Sequence, residues 1–362
     1  MDDPVVSVVI PAYRSGRLLR EAVDSVMVQT FQDFEVVIVD NNADEETKKV
    51  ISQIREVYGE KVRVFHEATQ GICSARNRGI LESRGRFVAT LDDDDRMYPD
   101  RLEVQFYLSK DNPAASIIYG SIDVISYDGS RVVYPGLPPT VEFFVAPVMK
   151  DHPRYVKDPP LLVYPSVMFF SKEKALKVGL YDTRFNPFHT EDTDFCFRMW
   201  HLGPFVGIGK PLSQYRQASS TFFANKRKGM LNWLQVRKNQ NLFLQILAGQ
   251  YLDEKDRRSR RKFREVQSKL LRETSHDILP YLDGCAVARK MLVRAIKAKP
   301  WELKNWKWFL RTFYPRTRLE KSLKKELLPK FLAQDVPDVD ILNSFYRLSF
   351  DSIGPESQGR SH

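Results

Sequence analysis

Along the first 110 residues, short apolar runs alternate with segments whose apolar positions recur at helical spacing. Val5–Ile10 (VVSVVI) is β-branched and nearly continuously apolar, the mark of a strand buried on both faces of a parallel sheet. Pro11 closes it, and Leu18, Leu19, Ala22, Val23 and Val26 then line one face of a helix over Leu18–Val28. Phe34–Val39 predicts a second buried strand that ends at Asp40, residues 43–57 an exposed helix, and Val62–Phe65 a third strand. Ile72–Glu82 predicts another helix, and Phe87–Leu91 a fourth strand that runs straight into Asp92–Asp95. Strands separated by helices imply βαβ units, hence a mostly parallel sheet with right-handed crossovers.

Farther along the pattern changes. Ser116–Tyr119 and Ile122–Ser126 predict two strands, with a turn at Tyr127-Asp128-Gly129-Ser130. Residues 135–165 are too dense in proline for regular structure and predict a loop or flap beside a site. Short helices follow at Lys172–Val178 and Glu191–His201, and from about residue 222 the chain reads as helical and rich in Lys and Arg. The expected organisation is an α/β domain over residues 1–225 and a basic helical extension over 226–362.

Charge sharpens that division. The net charge of +10 is unevenly placed: residues 1–225 carry 26 Lys and Arg against 31 Asp and Glu, and residues 226–362 carry 30 against 15. With 362 residues, 43% hydrophobic and 28% charged, the chain can bury a real core. No apolar run approaches the roughly 18 residues of a membrane-spanning helix. The segment MDDPVVSVVIPAYRSG lacks the basic start and apolar run of a secretory leader. Cys73, Cys196 and Cys285 show no CxxC or metal-ligand spacing, which fits a reducing cytoplasm.

In open parallel sheets, ligands bind outside the carboxyl ends of the strands. Three such ends here carry useful groups: Pro11-Ala12-Tyr13, Asp40-Asn41-Asn42 and Asp92–Asp95. Four adjacent carboxylates repel one another and need either a solvated exit or a cation. Mg²⁺ and Mn²⁺ favour such oxygens, together with substrate phosphates. Asp40 could accept a hydrogen bond from a nucleobase or a ribose, or simply form a turn. Glu191 and Asp192 open a helix, where acidity suits the dipole, yet a carboxylate there could also take the proton of an attacking hydroxyl. Gly71-Ile72-Cys73-Ser74-Ala75-Arg76 permits close helix–sheet packing or close approach of a ligand. No H-x-x-x-H pair, G-x-S-x-G elbow or Walker lysine motif is present.

Taken in order, VSVVIPAYRSGRLLREAVDSVMVQTFQDFEVVIVDNN, GICSARNRGI, GRFVATLDDDDRMYPDRL, TEDTDFCFRMWHLG and YRQASST resemble the family 2 glycosyltransferases with a GT-A fold, over roughly residues 4–222. The resemblance implies an inverting transfer of one sugar from a UDP- or dTDP-linked donor to an acceptor hydroxyl. By it, Pro11, Ala12, Tyr13 and Asp40 hold the nucleoside, and Gly71 and Arg76 lie beside the nucleotide. The resemblance likewise implies that Asp94 is the principal ligand of Mn²⁺ or Mg²⁺, that Asp92 lies near the ribose or the metal, and that Asp93 and Asp95 support them. By the same resemblance Asp192 looks like the general base, with Glu191 shaping the acceptor site. Many relatives carry a histidine shortly after the Tyr-Arg pair; here Gln217 and Ala218 follow Tyr215-Arg216, which leaves the metal to Asp94 and the phosphates. The Q-x-x-R-W signature of processive synthases is missing too, so single addition is expected, toward a glycan or lipid-linked acceptor in cell-surface synthesis. The alternatives are a nucleotide-sugar nucleotidyltransferase, whose Gly-rich basic first loop PAYRSGRLL does not supply, and an inactive nucleotide-sugar-binding homologue.

In the tail, Ala286–Tyr314 predicts two antiparallel helices joined near Pro300, similar to the helix pair that ends many bacterial transferases of this type. One pair cannot bury its apolar face alone. Its Trp and Phe residues lie among lysines, which allows either core packing beneath a solvated basic face or peripheral contact with an anionic membrane at the inner face of the plasma membrane. No nucleic-acid motif accompanies the charge.

Overall fold

The computed structural model describes residues 3–137, 140–142, 161–187, 189–217, 257–278 and 284–313, with scattered residues between 235 and 247. They fall into two compact units, one within Met1–Phe143 and Pro160–Ala218, the other within Phe144–Pro159 and Ser219–His362.

The first unit opens with β1 (Val6–Ala12), α1 (Arg17–Met27), β2 (Phe34–Asp40), α2 (Glu45–Tyr58), β3 (Val62–His66), α3 (Ile72–Glu82) and β4 (Phe87–Thr90). Strands β3-β2-β1-β4 lie side by side and parallel, as the alternating pattern requires. Every residue of β1 is buried, which is why its sequence shows no polar alternation. Val8, Ile10, Val36 and Ile38 pack in one cluster with Leu19, Ala22, Val23 and Val26 of α1. Burial of each such Val, Leu or Ile side chain stabilises by about 1.5–3 kcal/mol. On α3, a Cβ at Gly79 would lie 2.3 Å from Val9 Cγ1, so glycine sets how closely that helix meets β1.

The remaining elements are β5 (Arg96–Met97), α4 (Arg101–Asp111), β6 (Ile117–Ile125), β7 (Val132–Leu137), β8 (Thr140–Glu142), β9 (Leu161–Val163), β10 (Phe169–Ser171), α5 (Lys172–Lys177), α6 (Glu191–Trp200) and β11 (Phe205–Arg216). The sheet continues past β4 as β10-β6-β11-β5, with β7 on β6, while β8 and β9 form a separate pair. Here β10 runs antiparallel to both of its neighbours and β6 pairs parallel with β11. The α/β sheet with flanking helices is thus present, parallel in its first half and mixed in its second. The two strands expected at 116–126 are one. Gly120 does not interrupt it but admits Leu212, whose Cγ would lie 2.4 Å from a Cβ at that position. The irregularity sits instead on β11, in register shifts between Ile208 and Ser213. Of the proline-rich stretch, 138–139 and 143–160 lie outside the described residues; where it is described it is not irregular as expected, because β7, β8 and β9 extend into it and β8 pairs with β9.

Arg101 is the largest fully buried side chain of the core. Its guanidinium donates to the carbonyls of Thr90 (3.0 Å), Ser166 (2.5 Å) and Met168 (3.1 Å), to Ser213 Oγ (3.0 Å) and to Gln105 Oε1 (2.9 Å). Burial pulls its pKa down to about 9, opposed by the charge of Asp95, so it remains a cation at neutral pH. Five acceptors offset the desolvation of that charge.

The second unit contains α7 (Arg257–Ile278), α8 (Gly284–Ala298) and α9 (Leu303–Arg311). The helix pair expected near Pro300 is α8 and α9; Tyr314 lies outside the described residues. Leu270 and Leu271 of α7 and Met291, Leu292 and Ala295 of α8 are buried. None of the described helices is long and apolar enough to cross a membrane.

Candidate active site

The strand order reverses direction at β1, which has β2 on one side and β4 on the other. A crevice outside the carboxyl ends of these strands is where a parallel sheet receives ligand. Ala12 stands in register with Asp40, and the Tyr13 amide donates to Asp93 Oδ2 at 3.0 Å, which joins the ends of β1, β2 and β4. Pro11 and Ala12 are buried, whereas Tyr13 is 40% exposed, with the Arg14 guanidinium 4.8 Å from its ring centroid, and is the part of that turn available to a ligand. Asp40 Oδ1 accepts from the Ala43 amide at 2.8 Å, the turn-forming contact that Asp favours, and its Oδ2 lies 3.7 Å from His66 Nδ1.

The four aspartates have separate duties. Asp93 holds the β1 turn. Asp95 is buried, and its Oδ1 accepts from the Arg216 amide at 2.7 Å. Asp92 Oδ1 accepts from Arg76 at 2.7 Å. The Asp94 carboxylate accepts no hydrogen bond from another described residue. Burial raises its pKa to about 7, reinforced by the charges of Asp93 and Asp92 and opposed by Arg216. Burial likewise raises Asp93 to about 6, against the bond from Tyr13. Arg216 also braces the segment from beneath. Its Nε donates to the Asp94 carbonyl at 2.6 Å, and its Nη2 donates to Glu21 Oε2 of α1 at 2.8 Å. Sequence reasoning missed Arg216 and Glu21, because nothing local joins a residue of α1 to the end of β11.

Arg76 brings distant carboxylates together. Its side chain is 3% exposed, and it donates to Asp92 Oδ1 and, at 2.9 Å, to Glu191 Oε1. Both ends of the guanidinium are occupied by protein carboxylates, so its geometry is that of a group that positions them rather than one that faces a ligand. Glu191 is buried, with Oε2 unpartnered, and burial together with Asp192 raises its pKa to about 7 against the pull of Arg76. Asp192, next in the chain, is only partly buried. Its Oδ1 accepts from the Thr193 amide at 2.7 Å, and burial raises its pKa, opposed first by Arg76. His189 and Thr190 both have φ of 76°. Two left-handed non-glycine residues in succession cost roughly 1–2 kcal/mol each, and they turn the chain directly into Glu191 and Asp192.

The start of α3 is closed off by protein. The Gly71 amide donates to Asn41 Oδ1, the Ile72 amide to the Pro187 carbonyl, and the Cys73 amide to Asn186 Oδ1. The Ile72 and Cys73 amides are therefore engaged by the segment that precedes α6, and the Gly71 amide by the residue that follows β2. Gly71 has φ of 139°, and a Cβ there would lie 2.2 Å from Asn186 Cγ, which accounts for the glycine through packing. Gly71→Ala is expected to destabilise the fold by about 1–3 kcal/mol; equilibrium urea unfolding measures it, and an unchanged midpoint would refute the packing argument.

Across the cleft, the half-buried rings of Tyr164 and Tyr215 lie with centroids 5.2 Å apart. The charge of Asp192 acts on Tyr164, and those of Asp95, Asp92 and Asp94 act on Tyr215, although burial is the largest cause of both raised values. The expected carboxylates thus gather around one cleft: Asp92 and Asp94 on the β4 side, and Glu191 and Asp192 on α6, with Arg76 between. Asp40 stands at the neighbouring end of β2.

Strand-end carboxylates at a parallel sheet are thus faced by an acidic helix start, and comparison with known proteins specifies the class. The family model described as Glycosyl transferase family 2 matches residues 7–179. The Amylovoran biosynthesis glycosyltransferase AmsB of Erwinia amylovora is 30% identical over 251 residues, covering 66% of this chain and 79% of AmsB. The chain belongs to glycosyl transferase family 2. An uncharacterized glycosyltransferase of Rickettsia felis is 37% identical over 134 residues, 36% of this chain, but the match spans only 22% of that relative's length. Among solved structures, S. aureus TarS 1–349 in complex with UDP-GlcNAc aligns with a TM-score of 0.50 at 14% identity, covering 93% of this chain and 95% of that one. This likeness is one of fold.

Proposed function

We propose that the chain moves a single sugar from a UDP- or dTDP-linked donor to an acceptor hydroxyl, with inversion at the anomeric carbon. The reading is supported above all by the Arg76 bridge, which ties Asp92 on the β4 side to Glu191 beside Asp192. In this reading the nucleoside lies against the exposed Tyr13 ring and Asp40, and the diphosphate reaches Asp94. Asp192 takes the proton of the acceptor hydroxyl. Its partial exposure, and a second oxygen that accepts no hydrogen bond from another described residue, suit that role better than the buried, Arg-paired Glu191. Glu191 then shapes the acceptor side and holds α6 to Arg76.

Among the described residues, no three His, Cys, Asp or Glu side chains form a preformed metal cage. Mg²⁺ and Mn²⁺ commonly use one or two carboxylates plus substrate phosphates, and Asp94 with the second oxygen of Asp92 fits that donor set. When bound, the cation would offset charge that develops on the departing diphosphate. The UDP-GlcNAc in the TarS complex and the amylovoran role in the name of AmsB make a UDP-sugar the first donor to test and cell-surface polysaccharide or glycolipid synthesis the setting. The acceptor would be glycan or lipid-linked, met on the cytoplasmic side.

A thermal-shift series of nucleotide-sugars with and without Mn²⁺ tests the reading. A donor at a hundredfold its Kd adds about 2.7 kcal/mol of apparent stability, and most of the shift is expected to need the cation. Asp94→Ala is expected to abolish the Mn²⁺-dependent part while the parent melting temperature holds. Unchanged metal dependence in Asp94→Ala would place the cation elsewhere.

A further inference from the structure

The second unit carries a helix turned inside out. On α9 the residue at the packed centre is polar. Asn305 is fully buried, donates to Ser268 Oγ at 2.8 Å and to the Ala295 carbonyl at 3.1 Å, and accepts from Arg272 at 3.0 Å. Leu303, Trp306, Leu310 and Phe313, which recur at helical spacing, are instead exposed by 80%, 43%, 58% and 57%. Trp301, at the turn before the helix, is 62% exposed. An amphipathic helix ordinarily buries its apolar stripe, and a contiguous exposed stripe of this kind marks an interaction surface.

The residues around the stripe indicate its partner. Every exposed residue from 288 to 313 is either apolar or a lysine, the lysines being Lys290, Lys297, Lys304 and Lys307. Over 257–278 and 284–313 there are 16 Lys and Arg against 4 Asp and Glu. A protein partner would ordinarily meet some acidic or neutral polar rim. Cations around exposed Trp, Leu and Phe match instead the boundary of an anionic bilayer, where aromatic rings sit at headgroup level and lysines meet phosphate. The Trp306 indole is already fixed, donating to the Pro300 carbonyl at 2.7 Å, so its ring is presented in a set orientation.

We infer that the α9 face, with Trp301 and the lysines of α8 and α9, docks on an anionic lipid surface. This concerns the second unit alone, and a failed transfer assay would not bear on it. The test is co-sedimentation of the full chain with vesicles of phosphatidylcholine, or of phosphatidylcholine mixed with phosphatidylglycerol, at low and high salt. The parent protein is expected to bind the mixed vesicles at low salt, to release at high salt, and to ignore phosphatidylcholine alone. Leu303→Glu/Leu310→Glu and Lys304→Glu/Lys307→Glu are each expected to lower partitioning by about tenfold or more, with unchanged melting temperature because all four positions are exposed. Absence of binding to the mixed vesicles, or equal binding by the leucine variant, would overturn the inference. So would a fall in melting temperature or in oligomeric mass for that variant, since protein would then cover the face.

Discussion

Asp192→Asn is expected to lower kcat for sugar transfer by about 10²–10⁴-fold, the usual contribution of a positioned general base, while donor binding survives. The amide keeps an oxygen to accept from the Thr193 amide, so the start of α6 need not move. It removes only the capacity to take a proton from the acceptor hydroxyl. The raised pKa of Asp192 adds a second signature. The acid limb of the rate profile should lie above the ordinary carboxylate range, because the base works only when ionised. Single-turnover transfer measured beside donor affinity separates the possibilities. If Asp192→Asn lost donor binding along with turnover, the residue would belong to the donor site and the base would be another group.

Arg76→Met should have the largest effect on stability. The side chain is 3% exposed and, among the described residues, carries the only hydrogen bonds that Asp92 Oδ1 and Glu191 Oε1 receive from a cation. Removing one partner of a buried ion pair costs about 3–5 kcal/mol, because the charge left behind is neither hydrated nor paired. Here two carboxylates are left, beside Asp94 and Asp192. Arg76→Lys keeps the charge but not the fork that reaches both partners, so it should recover only part of the loss. Urea unfolding, with m-values checked for constancy, gives the number. A methionine variant within about 1 kcal/mol of the parent would show that the bridge does not hold the two sides of the cleft.

Some of this arrangement was legible in the sequence for a simple reason. Strands β1, β2 and β4 are buried on both faces, so their apolar runs are continuous, and the acidic strand ends stand out against them. The start of α6 announced itself by its carboxylates. Helix α4 did not, because the positions it buries include Arg101, Gln105 and Ser109, a polar face that periodicity assigns to solvent. Strand β11 contains Gly207, Gly209 and Pro211, which read as breakers; Gly207 stays in register with Tyr119, and the pairing passes Gly209 and Pro211 through register shifts. The bracing of the aspartates by Arg216 and Glu21 spans 195 positions and has no local trace. On α9 the aromatic residues were visible in the sequence, but the side they face depends on Asn305 finding partners on α7 and α8.

Arg101 has a consequence for how this site could be altered. Three of its five acceptors are main-chain carbonyls, at residues 90, 166 and 168. A carbonyl is supplied by any amino acid, so the side chains at those positions can vary without disturbing the anchor. Its spacing along the chain cannot vary. Grafting a relative's segment around residues 161–171 should therefore require that the length be kept, with Ser166 retained for the Asp92 amide and the other buried positions kept apolar, and fail on insertion or deletion of one residue.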